Sequence, residues 1–213
     1  NDISNMDEQF VKDLCKKENL KFYSKSFDTL KIKKKLKKST QVVARELRYE
    51  FFEDLSKKNN INYILTAHHM NDSMESFFIN LSRGSGIDGL IGIPENNGKI
   101  IRPFINFEKK EILEYAKKNK IKWREDSSNQ SNIYLRNKIR NDLVPLLNSL
   151  EGNFTKNFQK SIRYLKLSNL LMYDKIEELT KEYISYDKND ILINIKKLNL
   201  SAHKEAFLYY LLR

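Results

Sequence analysis

The sequence predicts an α/β fold in which a parallel sheet with flanking helices is followed by a small helical domain. Short apolar runs alternate with helical periodicity over the first part of the chain, which is typical of a parallel sheet with crossover helices. Only 6 Gly and 3 Pro occur in 213 residues, which favours long helices over an all-β chain. From about Asn153 the helical period continues almost unbroken, so we expect an α/β domain over residues 1–150 and a mainly helical domain over residues 151–213.

The first sixty residues contain two helical patterns with a short apolar run between them. Phe10, Val11 and Leu14 predict a helix over Met6–Asn19, and Leu20–Ser26 follows as a strand candidate. The second helix begins after a capping Ser39 or Thr40 and ends near Lys58. Its core stripe has apolar residues every four positions, namely Val43, Leu47, Phe51 and Leu55.

The later elements are predicted from the same two patterns, short apolar runs for strands and helical spacing of apolar residues for helices. The apolar run Ile61–Ala67 predicts a buried parallel strand, and Met70–Ser82 returns to helical spacing. The remaining predictions are a strand at Lys99–Pro103, helices at Phe107–Asn119 and Tyr134–Leu147, a long helical segment from Asn153, a strand at Ile191–Ile195 and a helix at Ser201–Leu212.

Charge and cysteine content narrow the classes of function. The chain has 39 Lys and Arg against 28 Asp and Glu, and a net charge of +11 attracts polyanions, nucleic acid foremost. A compositional bias toward Lys and Asn is the alternative explanation of this positive net charge. The single cysteine, Cys15, excludes a disulfide framework or a CxxC site within the chain. No apolar run has membrane-spanning length and no signal peptide is visible, so we expect a cytoplasmic protein.

The basic run Lys31–Lys38 is expected to be a solvated, mobile loop. Lysines in such a loop can contact phosphates without any fixed geometry. Lys34 and Lys35 within it, and Arg140 in the basic helix Tyr134–Leu147, are therefore candidate contacts to RNA.

The segment Thr66–Pro94 carries the strongest candidate for a site. It begins at the carboxyl end of a predicted strand, the edge at which open α/β sheets bind ligands. His68 and His69 end the strand, and helical geometry places Asp72 and Glu75 one turn apart on the polar face of the next helix. Such a carboxylate pair can hold Mg²⁺ or an ammonium group, and the alternative is a solvated polar face.

A glycine-containing loop, Arg83-Gly84-Ser85-Gly86, follows that helix. Two glycines allow the backbone to approach a ligand closely, and Arg83 can neutralise a phosphate. The alternative is an ordinary helix C-cap at Gly84.

Four segments together resemble the tRNA(Ile)-lysidine synthetase family of the N-type ATP pyrophosphatase superfamily. They match in order and spacing, although each alone is a modest signal, and the match covers roughly residues 1–150. The segments are ARxxRY at Ala44–Tyr49, TAHHMNDSMES at Thr66–Ser76, RGSGIDGLIGIP at Arg83–Pro94 and WREDSSNQSNIYLRNKIRNDLVPLL at Trp123–Leu147.

The resemblance implies a Rossmann-like fold of the adenine nucleotide alpha hydrolase type and a reaction. ATP and Mg²⁺ would activate C2 of the wobble cytidine in a tRNA(Ile) with a CAU anticodon. Free lysine would then attack the adenylated base to give lysidine, and AMP and pyrophosphate would leave. Residues 1–150 would form the nucleotide-binding domain and residues 151–213 a domain that contacts tRNA. A homodimer is compatible with the resemblance.

The resemblance also implies roles for individual residues. His69, Asp72 and Glu75 would form the lysine zone, with Asp72 as a candidate Mg²⁺ ligand and Arg136 closing over the catalytic site. The loop of Arg83, Gly84, Ser85 and Gly86 would meet phosphate or cytidine, together with Asn137. Asp126 and Asn129 are expected to hold their own loop in shape.

Two departures from the family pattern affect these expectations. Asn71 stands where many members have an acid, which leaves Asp72 as the remaining carboxylate. The SGGxDS phosphate loop is not in the sequence and would lie upstream of Asn1, so the 213-residue chain alone is expected not to catalyse adenylation. The C-terminal extension that members of the family have, where present, is likewise expected to be missing or cut short.

Other functions remain open on the sequence alone. A tRNA 2-thiolation enzyme of the same superfamily typically needs cysteine pairs, and the chain has one cysteine. A noncatalytic RNA-binding module would fit the charge equally well. It would not account for carboxylates clustered beside His68 and His69.

Overall fold

The computed structural model describes residues 2–125, 135–150, 152–187 and 190–212. These residues are mostly helical, with two small sheets. The helices are α1 (Asp2–Lys17), α2 (Thr29–Leu36), α3 (Thr40–Asn59), α4 (Met70–Leu81), α5 (Ile87–Leu90), α6 (Lys109–Lys118), α7 (Leu135–Lys138), α8 (Val144–Leu150), α9 (Phe154–Tyr183), α10 (Ile195–Leu200) and α11 (Lys204–Leu211). The strands are β1 (Ile64–Leu65), β2 (Asn96–Asn97), β3 (Ile100–Ile101), β4 (Ile184–Asp187) and β5 (Asp190–Ile193).

The chain forms two compact units that interleave along the sequence. The first comprises residues 1–69 and 95–129, and the second comprises residues 70–94 and 130–213. The predicted domains, 1–150 and 151–213, are consecutive stretches, and their division into a nucleotide-binding and a tRNA-contacting part stays a prediction.

A three-stranded sheet lies in the first unit. β1 pairs in parallel with β3, with Ile64 opposite Ile100, and β2 pairs antiparallel on the other side of β3. β1 and β3 lie inside the strands predicted at Ile61–Ala67 and Lys99–Pro103, and both are shorter. Leu20–Ser26 is not a strand, because a strand needs a hydrogen-bonded neighbour and this segment has none among the described residues.

Helix α3 forms as its spacing predicts. The Ser39 hydroxyl accepts a hydrogen bond from the Val42 amide (3.3 Å), which caps the helix start. Val43 is fully buried, and the other members of the stripe, Leu47, Phe51 and Leu55, are half-buried.

The basic run is also helical, so the predicted mobile loop at Lys31–Lys38 is wrong. The Asp28 carboxylate caps α2 by accepting from the Lys31 amide (3.0 Å). Lys33, Lys34 and Lys35 lie in the last turn, where cations interact favourably with the carbonyl end of a helix. Their ordered, exposed positions give this surface a defined shape.

The core of the second unit is built around α4 and the first half of α9. Its buried side chains are Met70, Met74, Ile139, Val144, Phe158 and Ile162. The Phe158 ring meets Phe77 edge-on at 5.2 Å and lies nearly parallel to Phe78 at 6.4 Å. Thus the apolar face predicted for Met70–Ser82 packs against the helical tail.

A second apolar cluster lies at the far end of α9. Leu179, Tyr183, Leu198 and Phe207 are buried together, which packs α9 against α10 and α11. The antiparallel pair β4 and β5 follows α9, and β5 overlaps the strand predicted at Ile191–Ile195.

The basic helix predicted at Tyr134–Leu147 contains one wide turn. Residues Ile139–Leu143 between α7 and α8 form a π-helical turn, in which the Val144 amide donates to the Ile139 carbonyl. Pro145 explains its position, because proline has no amide hydrogen and its ring crowds the carbonyl one turn earlier. The helix widens there rather than ending.

None of the helices within the described ranges combines the length and the apolar character that crossing a lipid bilayer requires.

Candidate functional site

The first two turns of α4 carry a charge cluster. The Arg136 guanidinium donates to a Glu75 carboxylate oxygen through Nε (2.5 Å) and to Asp72 Oδ1 through Nη2 (2.9 Å). Arg140 also donates to both oxygens of Glu75, from Nε at 2.6 Å and from Nη2 at 3.1 Å. Two carboxylates and two guanidinium groups thus form one network of charge-assisted hydrogen bonds.

Burial differs sharply between the two carboxylates. The Glu75 side chain is 1% exposed, whereas that of Asp72 is 13% exposed. The alternative of a solvated polar face is therefore excluded for Glu75. A buried carboxylate is tolerable only with close cationic partners, and Arg136 and Arg140 supply them. Asp72 is the member of the pair that a ligand from solvent can reach.

Helix geometry brings the two arginines to the same carboxylate. Arg136 lies in α7 and Arg140 lies one turn later, in the π-helical turn. Residues four apart lie on one face of a helix, so both side chains extend toward α4. Ile139 and Val144 of the same stretch enter the core, which fixes the helix against α4.

The donor set near Asp72 is poorly suited to a metal ion. In the described part of the chain, no group of three or more His, Cys, Asp or Glu could hold one. Two guanidinium groups already balance the charge of Asp72 and Glu75. Asp72 as a Mg²⁺ ligand stays a prediction.

The glycine loop begins as a helix cap. Gly84 has a φ of +71°. The Gly84 amide donates to the Leu81 carbonyl (3.0 Å) and the Ser85 amide to the Asn80 carbonyl (3.1 Å), the pair of bonds that defines a Schellman motif. The capping alternative for Gly84 is therefore confirmed, and the Arg83 side chain is exposed beside it.

The loop then folds back tightly on α5. A Cβ atom at Gly89 would lie 2.7 Å from the Cβ of Ser85, so only glycine fits there without a shift. The Asn80 side-chain amide donates to the Gly89 carbonyl (2.8 Å) and ties the loop to the end of α4. Gly86 precedes α5 in extended conformation.

Other candidate residues lie outside this cluster. Asn137 is buried next to Arg136 in sequence. His69 is half-buried and is the last residue of the first of the two stretches that form the first unit. The side chain of its neighbour His68 is 2.9 Å from the Thr66 hydroxyl. Lys34 and Lys35 are exposed on α2 of the same unit. Asp126 and Asn129 lie outside the described residues.

Three contributors were not assigned to this region from the sequence. Arg140 was assigned to RNA contact alone, and its guanidinium binds Glu75. Asn80 and Asp88 were not singled out, although both have side-chain bonds that hold the glycine loop. The spacing of Arg136 and Arg140 by one helical turn was the available signal for Arg140.

Comparison with known protein families gives a match over most of the chain. The family described as PP-loop domain matches residues 2–147, which include the carboxylates of α4, the glycine loop and both arginines. This chain belongs to the PP-loop family.

Three curated relatives of this PP-loop chain carry the same name. The tRNA(Ile)-lysidine synthase of Chlorobaculum tepidum is 40% identical over 146 residues, covering 68% of this chain and 44% of that protein. Those of Bacteroides thetaiotaomicron and Clostridium perfringens are 34% and 35% identical, cover 97% and 95% of this chain and are themselves covered over 47% and 43% of their lengths. The chain thus spans less than half the length of these relatives.

Proposed function

We propose that the protein to which this PP-loop chain belongs is an ATP-dependent ligase that joins lysine to C2 of the wobble cytidine of a CAU-anticodon tRNA(Ile). The observation that carries the proposal is the Asp72–Glu75–Arg136–Arg140 cluster, which lies within the 95–97% of this chain that relatives named tRNA(Ile)-lysidine synthase match. The same proposal includes a parallel sheet with flanking helices, a helical domain that contacts tRNA, and a homodimer.

The reaction has two balanced steps. The oxygen on C2 of cytidine attacks the α-phosphate of ATP, and pyrophosphate leaves. Mg²⁺ bound with the ATP would supply positive charge for the phosphates. The amine of lysine, once deprotonated, attacks C2 of the adenylated base, and the C2–oxygen bond breaks to release AMP. The protein must therefore bind an ammonium substrate, hold phosphates and keep water away from the activated base.

The charge cluster suits the lysine step. Asp72, the more accessible of the two carboxylates at 13% exposure, accepts from an ammonium group of lysine. Glu75 is saturated by two guanidinium groups and holds Arg136 in place. Arg136 is 33% exposed at its side chain, so the face turned from Glu75 can donate to the carboxylate of lysine. Asn137 is proposed as a further substrate contact. His69 is proposed, from the resemblance alone, as the acceptor of the amine proton.

The exposed Arg83 beside the cap at Gly84 suits the adenylation step. Its guanidinium can stabilise negative charge on a phosphate, and the half-buried Ser85 and Gly86 beside it belong to the same proposed phosphate contact. We place the phosphate-bearing substrate at this loop.

The decisive experiment is mass spectrometry of the wobble nucleoside. The protein in its full natural length is incubated with a CAU-anticodon tRNA, ATP, Mg²⁺ and lysine. We expect cytidine to gain the mass of lysine less one water, and no product without ATP. Tight tRNA binding with no lysine adduct would instead favour a noncatalytic RNA-binding module.

The basic helix α2 is proposed to contact tRNA phosphates. Replacing Lys34 and Lys35 together by alanine should weaken tRNA binding about threefold to tenfold at low salt. Each lost phosphate contact should also lower the slope of log Kd against log salt concentration by about one. The measurement is the tRNA Kd as a function of salt concentration. The control pair is Lys57→Ala with Lys58→Ala at the end of α3, which removes the same charge. Equal slopes for both pairs would contradict a specific contact at α2.

A further inference from the structure

Helix α9 holds the glycine loop through one carboxylate. The Asn169 side-chain amide donates to Asp88 Oδ1 at 3.1 Å, and the Tyr173 hydroxyl donates to the same oxygen at 3.0 Å. Asn169 and Tyr173 are four residues apart, so they lie on one face of α9. Asp88 is in the first turn of α5, immediately after the loop. Asn169 is 6% exposed, so its bond to Asp88 is shielded from water, whereas Tyr173 is 47% exposed.

Helix α11 contacts the same loop through the side chain of Tyr209. A Cβ atom at Gly86 would lie 2.7 Å from the Tyr209 hydroxyl oxygen, so glycine is what allows this approach. The Tyr209 ring packs edge-on against Tyr210 at 4.9 Å, and Tyr210 packs against Tyr173 at 6.2 Å. The tyrosines thereby connect α11, α9 and the loop.

The loop is consequently fixed at both ends. At its start, the Schellman bonds tie Gly84 and Ser85 to α4. The Asn80 side chain ties Gly89, in the following α5, to the same helix. At its end, Asp88 ties α5 to α9. The exposed Arg83 guanidinium projects from a backbone whose position depends on residues more than eighty positions later in the chain.

We propose that Asp88, Asn169 and Tyr173 are positioning residues that set the Arg83–Gly86 loop for a phosphate group of a substrate. The helical tail then contributes to substrate recognition without touching the substrate. The kinetic part of this inference rests on the proposed function, in which Arg83 meets a phosphate. The phosphate can come from ATP or from tRNA, and the two are separated by measuring a KM for each.

The first test is Tyr173→Phe in the full-length protein, which removes one hydroxyl and keeps the ring. Losing a hydrogen bond to a carboxylate should raise the KM for ATP or for tRNA about fivefold to tenfold. The KM for lysine and kcat should stay within about twofold, because lysine is placed at Asp72. Tyr164→Phe on the exposed face of α9 is the matched control and should change none of these values.

The second test is amide hydrogen exchange, which needs no activity. Exchange at residues 83–91 should become faster in Tyr173→Phe and stay unchanged in Tyr164→Phe. If wild-type protein forms no lysidine, the proposed function fails, and this measurement still decides whether α9 positions the loop. Unchanged exchange together with unchanged KM values for ATP and tRNA would overturn the inference.

A rescue experiment separates positioning from general damage. Gly86→Ala should raise the same KM, since the new methyl group meets the Tyr209 hydroxyl. Adding Tyr209→Phe removes that oxygen and leaves the nearest ring carbon 3.8 Å from the methyl group, so the double variant should return toward wild type. Additive losses in the double variant would count against the contact.

Discussion

Replacing Glu75 by glutamine is expected to lower the free energy of unfolding by about 2–3 kcal/mol. The substitution keeps the size of the side chain but removes its charge. Because Arg136 and Arg140 donate to both carboxylate oxygens, either orientation of the new amide places an NH₂ group against a guanidinium. The side chain is 1% exposed, so water does not replace the lost acceptor. Chemical denaturation of the two proteins measures the difference.

Glu53→Gln provides the control for this effect. Glu53 forms an ion pair with Lys57 at 3.1 Å, and both side chains are at least 65% exposed. Such a pair contributes less than about 0.5 kcal/mol, so the control should unfold nearly as the wild type does. Equal destabilisation by the two substitutions would show that burial of the Glu75 network is not what stabilises the protein.

Asp72→Asn is expected to reduce kcat/KM for lysine by about 10-fold to 100-fold, the effect of losing one charged hydrogen bond to a substrate. The tRNA Kd should stay within about twofold, because the substitution removes no phosphate contact. The measurement is initial-rate lysidine formation at varied lysine, beside tRNA binding at fixed salt.

Asp174→Asn on α9 is the control that distinguishes the local role of Asp72 from the general effect of removing one negative charge. Asp174 is exposed, and its replacement changes the net charge of the protein by the same amount. It should leave both lysine kinetics and tRNA binding unchanged. If Asp72→Asn weakens tRNA binding as much as it slows lysine attack, its assignment to the lysine zone is wrong.

Local periodicity predicted the elements that position the site. The apolar spacing of Met74, Phe77 and Phe78 predicted both α4 and the face that it buries. Helical geometry placed Asp72 and Glu75 together, and the resemblance added Arg136. These features depend on neighbours within one or two turns, which a single sequence displays directly.

Long-range pairing was not predictable in the same way. Arg140 lies 65 residues from Glu75, and its one local signal, the spacing of one helical turn from Arg136, does not by itself distinguish a buried ion pair from a contact to RNA. The contact of Asp88 with Asn169 spans 81 residues and likewise has no local signal. Lys31–Lys38 was mistaken for a loop because charge outweighed the capping residue Asp28 in the prediction.

The core around Met74 bears on where the chain can be cut for expression. The family match ends at residue 147, whereas Phe158 and Ile162 of α9 complete the packing on α4. A shortened protein that stopped at the matched boundary would expose Met74 and the two phenylalanines of α4 to water. Expression boundaries chosen from the family match alone would therefore yield an aggregation-prone product, and the safer end point lies beyond α9.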